Sequence, residues 1–231
     1  MKIAVISDLH YARSKNLVNP TRCGERAPEL LKKAVDFFNA AHPDVLLLAG
    51  DLINDAADAP LLGELAEILK QAEMPWLAIP GNHDPAPEVF YRYLPAVPDC
   101  LEIGGFRIVP FPGDVETPHW NARRMPEDVA RLKRLGQGEL PLILFQHVPL
   151  FVPGTVYGCL YNYDNAEEII AAAGNTVLSI SGHWHFGYCP SFDSPFVSVA
   201  VPGLCEKDFP VSLIELGADG KFRSMVMHYF G

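Results

Sequence analysis

Five apolar runs in the sequence end in acidic, amide or histidine residues, and this recurrence constrains the fold more than any other feature. Each run has the length and composition of a short buried strand, and the runs begin at Lys2, Val45, Trp76, Leu142 and Thr176. Apolar residues recur at helical spacing over 30–38 and again over 61–69, between the first three runs. This alternation of strands and helices with short connections predicts a parallel sheet with right-handed crossovers, and so an α/β fold class.

Polar side chains follow each of these predicted strands. They are Asp8, His10, Asp51, Asn82, His83, His147, His183 and His185. Ligands of parallel sheets bind beyond the carboxyl ends of the strands, so we expect these side chains to share one site. Asp8 and His10 are two residues apart, as are His183 and His185, and in extended backbone such residues point the same way.

The donor types in this set indicate two metal ions. With His83 held in reserve, the set contains two Asp, one Asn and four His. That is too many donors for one tetrahedral ion and suits two ions that share a carboxylate. Nitrogen and oxygen ligands without thiolate favour transition metals over calcium or magnesium. We therefore expect two divalent or trivalent ions, with Mn, Fe or Zn as the leading candidates.

Length and composition predict a single domain over residues 1–231 and exclude several classes of partner. The five cysteines are odd in number and form no CxxC motif, which favours free thiols and a cytoplasmic location. The formal net charge of −10 argues against a general nucleic-acid surface. No apolar run reaches the ~18 residues that a membrane span needs, so no membrane partner is expected.

The rest of the chain adds further predicted elements. We expect a strand over 105–109 and a short helix over 127–135. The tail is predicted to form antiparallel strands over 196–201, 211–216 and 221–229, with a turn at 217–220.

Five motifs in chain order resemble those of the calcineurin-like metallophosphoesterases. They are Asp8-x-His10, Gly50-Asp51, Gly81-Asn82-His83-Asp84, His147 and Gly182-His183-x-His185, over about residues 3 to 186. The resemblance rests on the order, residue types and strand-end placement of the motifs. It implies a four-layer α-β-β-α sandwich of two mixed β-sheets flanked by helices, which some schemes class as α+β. It also implies phosphoester hydrolysis by a binuclear metal centre and a metal-bridging hydroxide.

The resemblance also implies a role for each residue. Asp8, His10 and His185 would hold the first metal, Asn82, His147 and His183 would hold the second, and Asp51 would bridge both. His83 would contact the phosphate and either stabilise its charge or protonate the leaving oxygen. Asp84 is the other candidate catalytic residue, and either Asp84 or Asp55 would be the partner of His83.

One departure from the family pattern bears on the substrate. The protein-phosphatase branch has Asp three residues after the bridging Asp, followed by Arg-Gly, whereas this chain has Asn54, Asp55 and Ala56. We therefore expect a small phosphodiester substrate, such as a cyclic nucleotide or a glycerophosphodiester. The alternatives are a phosphomonoesterase of the same fold, a non-catalytic metal-binding scaffold, and a nuclease. The filled ligand positions argue against the scaffold, and the acidic charge argues against the nuclease.

Two loops are the candidates for substrate selection. Arg22 lies in the loop over 11–26, and its guanidinium would bind a phosphate or carboxylate through a bidentate fork. Tyr157 lies in the loop over 148–163, which leaves directly from His147, and its ring would stack on a base or cover the metals. The alternative is that these are a solvated loop charge and a tyrosine packed on the core.

Overall fold

The computed structural model of the protein consists of two five-stranded sheets with flanking helices. It describes residues 1–155, 158, 161–188 and 190–231. The strands in these residues are β1 (Lys2–Ile6), β2 (Val45–Leu48), β3 (Trp76–Ala78), β4 (Leu101–Ile103), β5 (Phe106–Pro110), β6 (Val115–Thr117), β7 (Asn121–Arg123), β8 (Leu142–Phe145), β9 (Thr176–Ser181), β10 (Val197–Ala200), β11 (Pro210–Leu216) and β12 (Phe222–Tyr229). The α-helices are α1 (Ala27–Ala41), α2 (Leu61–Leu69), α3 (Pro87–Phe90), α4 (Pro126–Leu135) and α5 (Ala166–Ala172). Each of these helices lacks the length and apolarity that a bilayer crossing requires.

Both sheets are mixed. The first has the order β12-β11-β1-β2-β3, and the second has the order β10-β9-β8-β5-β4, while β6 and β7 pair separately. In the first sheet β1, β2 and β3 are parallel, and β11 is antiparallel to both β1 and β12. In the second sheet β5, β8, β9 and β10 are parallel, and β4 is antiparallel to β5. These sheets confirm the fold class that the motifs implied.

Side chains alternate along the strands and so create three apolar cores. In β1, Ile3 and Val5 pack between the two sheets, whereas Ala4 and Ile6 pack on the side of α1 and α2. The strand β8 repeats this pattern, with one face between the sheets and the other against α4 and α5. Full burial of one aliphatic side chain contributes about 1.5–3 kcal/mol, so these cores hold the layers in the order α-β-β-α.

The tail differs in part from its predicted arrangement. The strands β11 and β12 are antiparallel, as expected, and they extend the first sheet beside β1. The strand β10 instead pairs in parallel with β9 in the second sheet, so the prediction of an antiparallel strand over 196–201 is wrong. The apolar pattern of 196–201 specifies a strand but carries no information about which strand it pairs with.

The carboxyl ends of strands from both sheets meet at one edge of the sandwich. The backbone N–H of Asp8, after β1, donates to the carbonyl of Gly50, after β2, at 3.0 Å. The backbone N–H of His183, after β9, donates to Oδ2 of Asp8 at 3.0 Å. Because the first bond joins two loops of the first sheet and the second bond joins that sheet to a loop of the other, the residues that follow the strands face a common space.

Candidate metal centre

Left-handed backbone at the strand ends directs the polar side chains into this space. Asp8, His10, Asp51 and His183 have φ angles of 53°, 46°, 53° and 65°. Such angles are uncommon for residues other than glycine, cost about 1–3 kcal/mol each and cluster at functional sites. The prediction that Asp8 and His10 converge through extended backbone is therefore wrong in its reason. Tight turns, rather than an extended segment, bring the two side chains together.

Close contact between the loops requires glycine at two positions. Gly50 has φ of 90°, a region that glycine enters without steric cost. A Cβ at Gly81 would lie 2.6 Å from the backbone nitrogen of Asp51 and 2.8 Å from Cε1 of His147. These separations are too short for non-bonded atoms. The glycines before Asp51 and Asn82 therefore let the loops after β2 and β3 lie against His147.

A first group of side chains consists of Asp8, His10, Asp51 and His185. Nε2 of His10 lies 3.1 Å from Nε2 of His185, 3.9 Å from Oδ1 of Asp8 and 3.4 Å from Oδ2 of Asp51. Nε2 of His185 lies 3.4 Å from Oδ1 of Asp8. One donor atom from each residue falls within 4.8 Å of all the others. With bonds of about 2.0–2.2 Å, a single transition-metal ion can contact atoms at these separations.

A second group consists of Asn82, His147 and His183, and it also includes Asp51. Nε2 of His147 lies 3.1 Å from Oδ1 of Asn82 and 3.4 Å from Oδ2 of Asp51. Nδ1 of His183 lies 3.1 Å from Oδ1 of Asn82 and 3.2 Å from Nε2 of His147. Oδ2 of Asp51 is thus 3.4 Å from a histidine nitrogen of each group. The structure therefore brings together all seven residues that the sequence suggested as metal ligands.

Hydrogen bonds on the far side of three rings orient the histidines. Nδ1 of His147 lies 2.7 Å from the carbonyl oxygen of Ala49, and Nε2 of His183 lies 2.9 Å from the carbonyl oxygen of Trp120. Nδ1 of His185 lies 2.7 Å from Oε1 of Glu206. Carbonyl and carboxylate oxygens only accept hydrogen bonds, so these ring nitrogens are the donors. In the neutral form of each ring, the opposite nitrogen presents its lone pair to the cluster.

Carboxylates and imidazoles of the cluster shift one another's pKa values. Burial raises the pKa of Asp51, but His147 and His10 outweigh burial and hold it well below its usual range. Burial lowers the pKa of His185, but Asp8 and Glu206 raise it to about 12. Burial likewise lowers the pKa of His147, and the carboxylate of Asp51 raises it to about 9. The carboxylates therefore favour positive charge in both groups.

Unsatisfied acceptors show that the residues fit metal ions. Oδ1 of Asp8 is buried and has no hydrogen-bond partner in the part of the chain that the structure describes. It lies 3.4 Å from Nε2 of His185, which is a second acceptor in the neutral ring because Nδ1 then holds the proton toward Glu206. Two acceptors that face each other are unfavourable unless a proton or a metal ion lies between them, and the raised pKa of His185 shows the same preference for a cation. Two sets of acceptors sharing Asp51 therefore fit two metal ions.

His83 lies beside the cluster, where hydrogen bonds of its backbone and of its ring hold it. Its backbone N–H donates to Oδ1 of Asp51 at 2.8 Å. Its ring contacts that of His10 edge-on, with centroids 4.6 Å apart. Nδ1 of His83 lies 2.9 Å from the carbonyl oxygen of Asn54. This carbonyl is the partner of His83, which corrects the expectation that Asp84 or Asp55 would fill that role.

Asp84 instead binds backbone. Its buried carboxylate accepts hydrogen bonds from the N–H groups of Leu52, Ile53 and Gly81 at 3.1, 3.0 and 2.9 Å. Asp84 therefore ties the loop after β2 to the loop after β3. This geometry supports a positioning role for Asp84 rather than direct contact with a substrate.

Arg22 lines the cleft that opens over the cluster. The cleft has a volume of about 260 Å³ and is lined by Arg22, Asp51, Asn82, His83, Trp120, Tyr161, His183 and His185. Nε of Arg22 lies 3.7 Å from Oε1 of Glu206. The neighbouring Arg13 and Arg26 instead pair with Glu64 and Glu29 on the protein surface. Arg22 is thus the arginine of its loop that the structure places at the site.

The second predicted substrate residue cannot be placed. Tyr157 lies outside the described residues. From the same loop, Tyr161 lines the cleft, and its ring contacts that of His183 with centroids 4.8 Å apart. Phe151 and Tyr163 are buried, so the loop has aromatic side chains both in the core and at the site.

The sequence did not reveal two of the residues that hold the histidines. Glu206 follows β10, and its position just beyond a strand end is the one signal that it belongs to this edge of the sandwich. Trp120 contributes a backbone carbonyl, a group that every residue carries. No side-chain pattern could have identified Trp120 as a partner of His183.

The sequence is similar to a phosphoesterase family model and to two proteins named as probable phosphodiesterases. The family model for calcineurin-like phosphoesterases matches residues 1–187. A probable cyclic nucleotide phosphodiesterase from Synechococcus sp. is 28% identical over 247 residues, covering 98% of this chain and 91% of the relative. A probable cyclic nucleotide phosphodiesterase from Rhodopseudomonas palustris is 29% identical over 205 residues, covering 80% of this chain and 72% of the relative.

Solved structures share the fold at low sequence identity. A dimetal phosphatase from Danio rerio has a TM-score of 0.74 at 14% identity, covering 99% of this chain and 95% of its own. The protein TT1561 from Thermus thermophilus has a TM-score of 0.67 at 19% identity, covering 99% of this chain and 98% of its own. A purple acid phosphatase from yellow lupin seeds has a TM-score of 0.60 at 14% identity, covering 99% of this chain and 53% of its own. These similarities establish the two-sheet sandwich.

Proposed function

The chain belongs to the calcineurin-like phosphoesterase family, and from that membership we propose that it hydrolyses small phosphodiesters with two bound metal ions. The observation that carries the proposal is the position of Asp51, whose Oδ2 is 3.4 Å from a histidine nitrogen of each ligand group. When bound, the two ions would act as Lewis acids toward the phosphoryl group and lower the pKa of the attacking water. The nitrogen and oxygen donor set suits Mn, Fe or Zn.

His83 is proposed to act on the leaving oxygen. The Asn54 carbonyl accepts the proton of its Nδ1, which leaves Nε2 free to contact the substrate. His83 lines the cleft together with Asp51 and Asn82, so a phosphate bound at the metals would lie beside the ring. From this position the imidazolium form of His83, which carries a second proton on Nε2, would protonate the departing alkoxide or stabilise charge on the phosphoryl oxygens.

Arg22 is proposed to hold the phosphoryl group from the edge of the same cleft. Its side chain is 25% exposed, and the ion pair with Glu206 restrains the guanidinium at the edge of the cleft. Hydrogen bonds from a guanidinium to phosphoryl oxygens are charge-assisted and often bidentate, so Arg22 would orient the ester as well as attract it.

Two observations favour a phosphodiester substrate. Both relatives with similar sequences are named as probable cyclic nucleotide phosphodiesterases. The motif after Asp51 also departs from the protein-phosphatase pattern, and a backbone carbonyl holds His83 where that branch has a carboxylate. Cyclic nucleotides are therefore the first substrates to test, followed by glycerophosphodiesters. We propose a cytoplasmic location for the reaction.

The proposal is tested by hydrolysis of bis-p-nitrophenyl phosphate beside p-nitrophenyl phosphate, after metal has been removed and Mn²⁺ restored. We expect turnover only with metal, and a higher kcat/KM for the diester. Preference for the monoester would instead assign the chain to phosphatases. Two bound metals without turnover of either ester, or of cyclic nucleotides, would favour a metal-binding scaffold, and cleavage of DNA at low salt would favour a nuclease.

A further inference from the structure

Trp120 is an exposed aromatic residue held in a strained turn beside a proposed metal ligand. It lies between β6 and β7, the residue is 59% exposed, and it follows His119. Both residues have left-handed backbone, with φ of 68° for His119 and 59° for Trp120. The carbonyl of Trp120 accepts the hydrogen bond from His183, which fixes the turn relative to the cluster. A large apolar side chain is thus kept in solvent at a fixed place, although burial would be favourable.

An apolar cleft lies on the other side of Trp120. Its volume is about 320 Å³, near the lower end of the range for small-molecule sites. Trp120, Asn82 and His183 line both this cleft and the one over the metals, so the two form a continuous groove. The remaining walls are largely apolar and include Pro85, Pro87, Phe111, Val115 and Val148.

Charge makes the apolar cleft unsuitable for a phosphate. Asp114 and Glu116 lie in its wall. Both carboxylate oxygens of Asp114 are bound by the buried Arg124, at 3.0 and 2.9 Å, and one also accepts from the hydroxyl of Tyr163. Arg124 is held behind the wall and is itself 0% exposed. No cation of this network reaches a ligand, and the exposed Glu116 adds negative charge.

The opposite end of the groove has the complementary character. A cleft of about 290 Å³ beyond His10 and His83 is lined by Lys15, Asn16 and Arg22. Its cations and amide suit anionic and hydroxyl groups, whereas the Trp120 side suits an uncharged ring. A substrate that combines a phosphodiester with a flat apolar group would therefore lie in one orientation along the groove.

We infer that Trp120 is a specificity residue that stacks on a planar heteroaromatic ring of the substrate, such as a nucleobase. This inference rests on the proposed function, since it names the part of the phosphodiester that the apolar cleft receives. An indole face stacks on any base, and the proline walls complete a slot for a flat ring. Glu116, in the wall of the same cleft, offers a carboxylate acceptor for an exocyclic amino group.

The test compares two diesters in the metal-loaded enzyme and its variants. Cyclic AMP carries a base, whereas glycerophosphoethanolamine has no ring. The measured quantity is the ratio of kcat/KM for cyclic AMP to kcat/KM for glycerophosphoethanolamine. We expect Trp120→Ala to lower this ratio by a factor on the order of ten, mainly through a higher KM for cyclic AMP. Trp120→Phe should restore most of the ratio. Phe192→Ala removes another exposed aromatic side chain and should leave the ratio unchanged. Phe192 does not line the cleft over the metals or the apolar cleft.

Adenosine, which has no phosphate, separates this inference from the proposed function. Calorimetry should show adenosine binding to the metal-loaded protein, on the order of tenfold weaker in Trp120→Ala at equal metal content. In one outcome, the wild type hydrolyses neither diester and still binds adenosine more tightly than Trp120→Ala does. That result would refute the proposed substrate class and support the base site. Equal adenosine binding in the two proteins, no binding to the wild type, or equal loss of kcat on both diesters would overturn the inference.

Discussion

Replacing Glu206 should weaken one metal site more than the other. Oε1 of Glu206 lies 2.7 Å from Nδ1 of His185, and the carboxylate is only 16% exposed. His185 belongs to the first ligand group, whereas the second group of Asn82, His147 and His183 has no contact with Glu206 among the bonds of the described residues. Glu206→Ala leaves every ligand in place but removes the group that fixes the His185 ring.

The size of the effect follows from two independent estimates. Loss of the partner that orients a ligating histidine typically lowers metal affinity 10- to 100-fold, which equals about 1.4–2.7 kcal/mol. A hydrogen bond to a charged group contributes about 1.5–3 kcal/mol, in the same range. Glu206 also raises the pKa of His185, so it favours the proton that competes with the metal. This competition reduces the net loss, and we expect about tenfold for Ala and less for Gln.

Equilibrium titration of the metal-free protein with Co²⁺ measures both sites, because absorbance reports the stepwise filling of each. Glu215→Gln, which removes an exposed charge on β11, is the matched control for net charge. The reasoning fails if Glu206→Ala binds an ion at the first ligand group, the group that contains His185, as tightly as the wild type does. It also fails if the affinities of both sites fall equally, since that result would indicate a general loss of structure.

Three further substitutions probe the site and the fold. His83→Ala should keep both metals by elemental analysis yet lower kcat on the order of 10²–10⁴, with His228→Ala as the control; a metal-free variant would refute the assignment. Asp51→Asn should lose metal and activity together, and retention of two ions would exclude its bridging role. Arg124→Met breaks a buried ion pair and should lower the free energy of unfolding in urea by about 3–5 kcal/mol, whereas the exposed Arg223→Met should change it by about 0–1 kcal/mol. Equal effects of the two arginine substitutions would contradict the burial of Arg124.

Much of the fold was predictable because the apolar patterns of the elements are local. The parallel core of β1, β2 and β3 follows from apolar runs separated by amphipathic helices, and the helices over 27–41 and 61–69 form where the periodicity placed them. The parallel pairing of β10 with β9 was not predictable, because the sequence over 182–196 has no helical periodicity that would indicate a parallel crossover. The short strand β6 is mostly exposed, and β7 has a single buried residue, so neither shows the alternation that reveals strands.

The ligands were predictable and most of their supports were not, for a chemical reason. Metal ligation uses side chains of a few types, which stand out at strand ends. Orientation of His83, His147 and His183 instead uses the carbonyl oxygens of Asn54, Ala49 and Trp120. A backbone acceptor is available at any position, so natural sequences can place it without a characteristic residue. Among the described residues, Glu206 and Cys205 contribute side chains to this task, both at Nδ1 of His185, and only side chains of this kind could be revealed by a sequence.

The strained loops and the charged cluster explain one another. Asp8, His10, Asp51 and His183 adopt left-handed backbone at a cost of about 1–3 kcal/mol each. In that conformation their donor atoms converge between two sheets, a geometry that extended strands cannot reach because their side chains stand apart on the pleat. Convergence of so many acceptors is itself unfavourable until a cation binds. Two cations bridged by Asp51 would therefore offset both the backbone strain and the repulsion between the acceptors. This accounts for strain at the strand ends, where the ligands lie, and not within the strands.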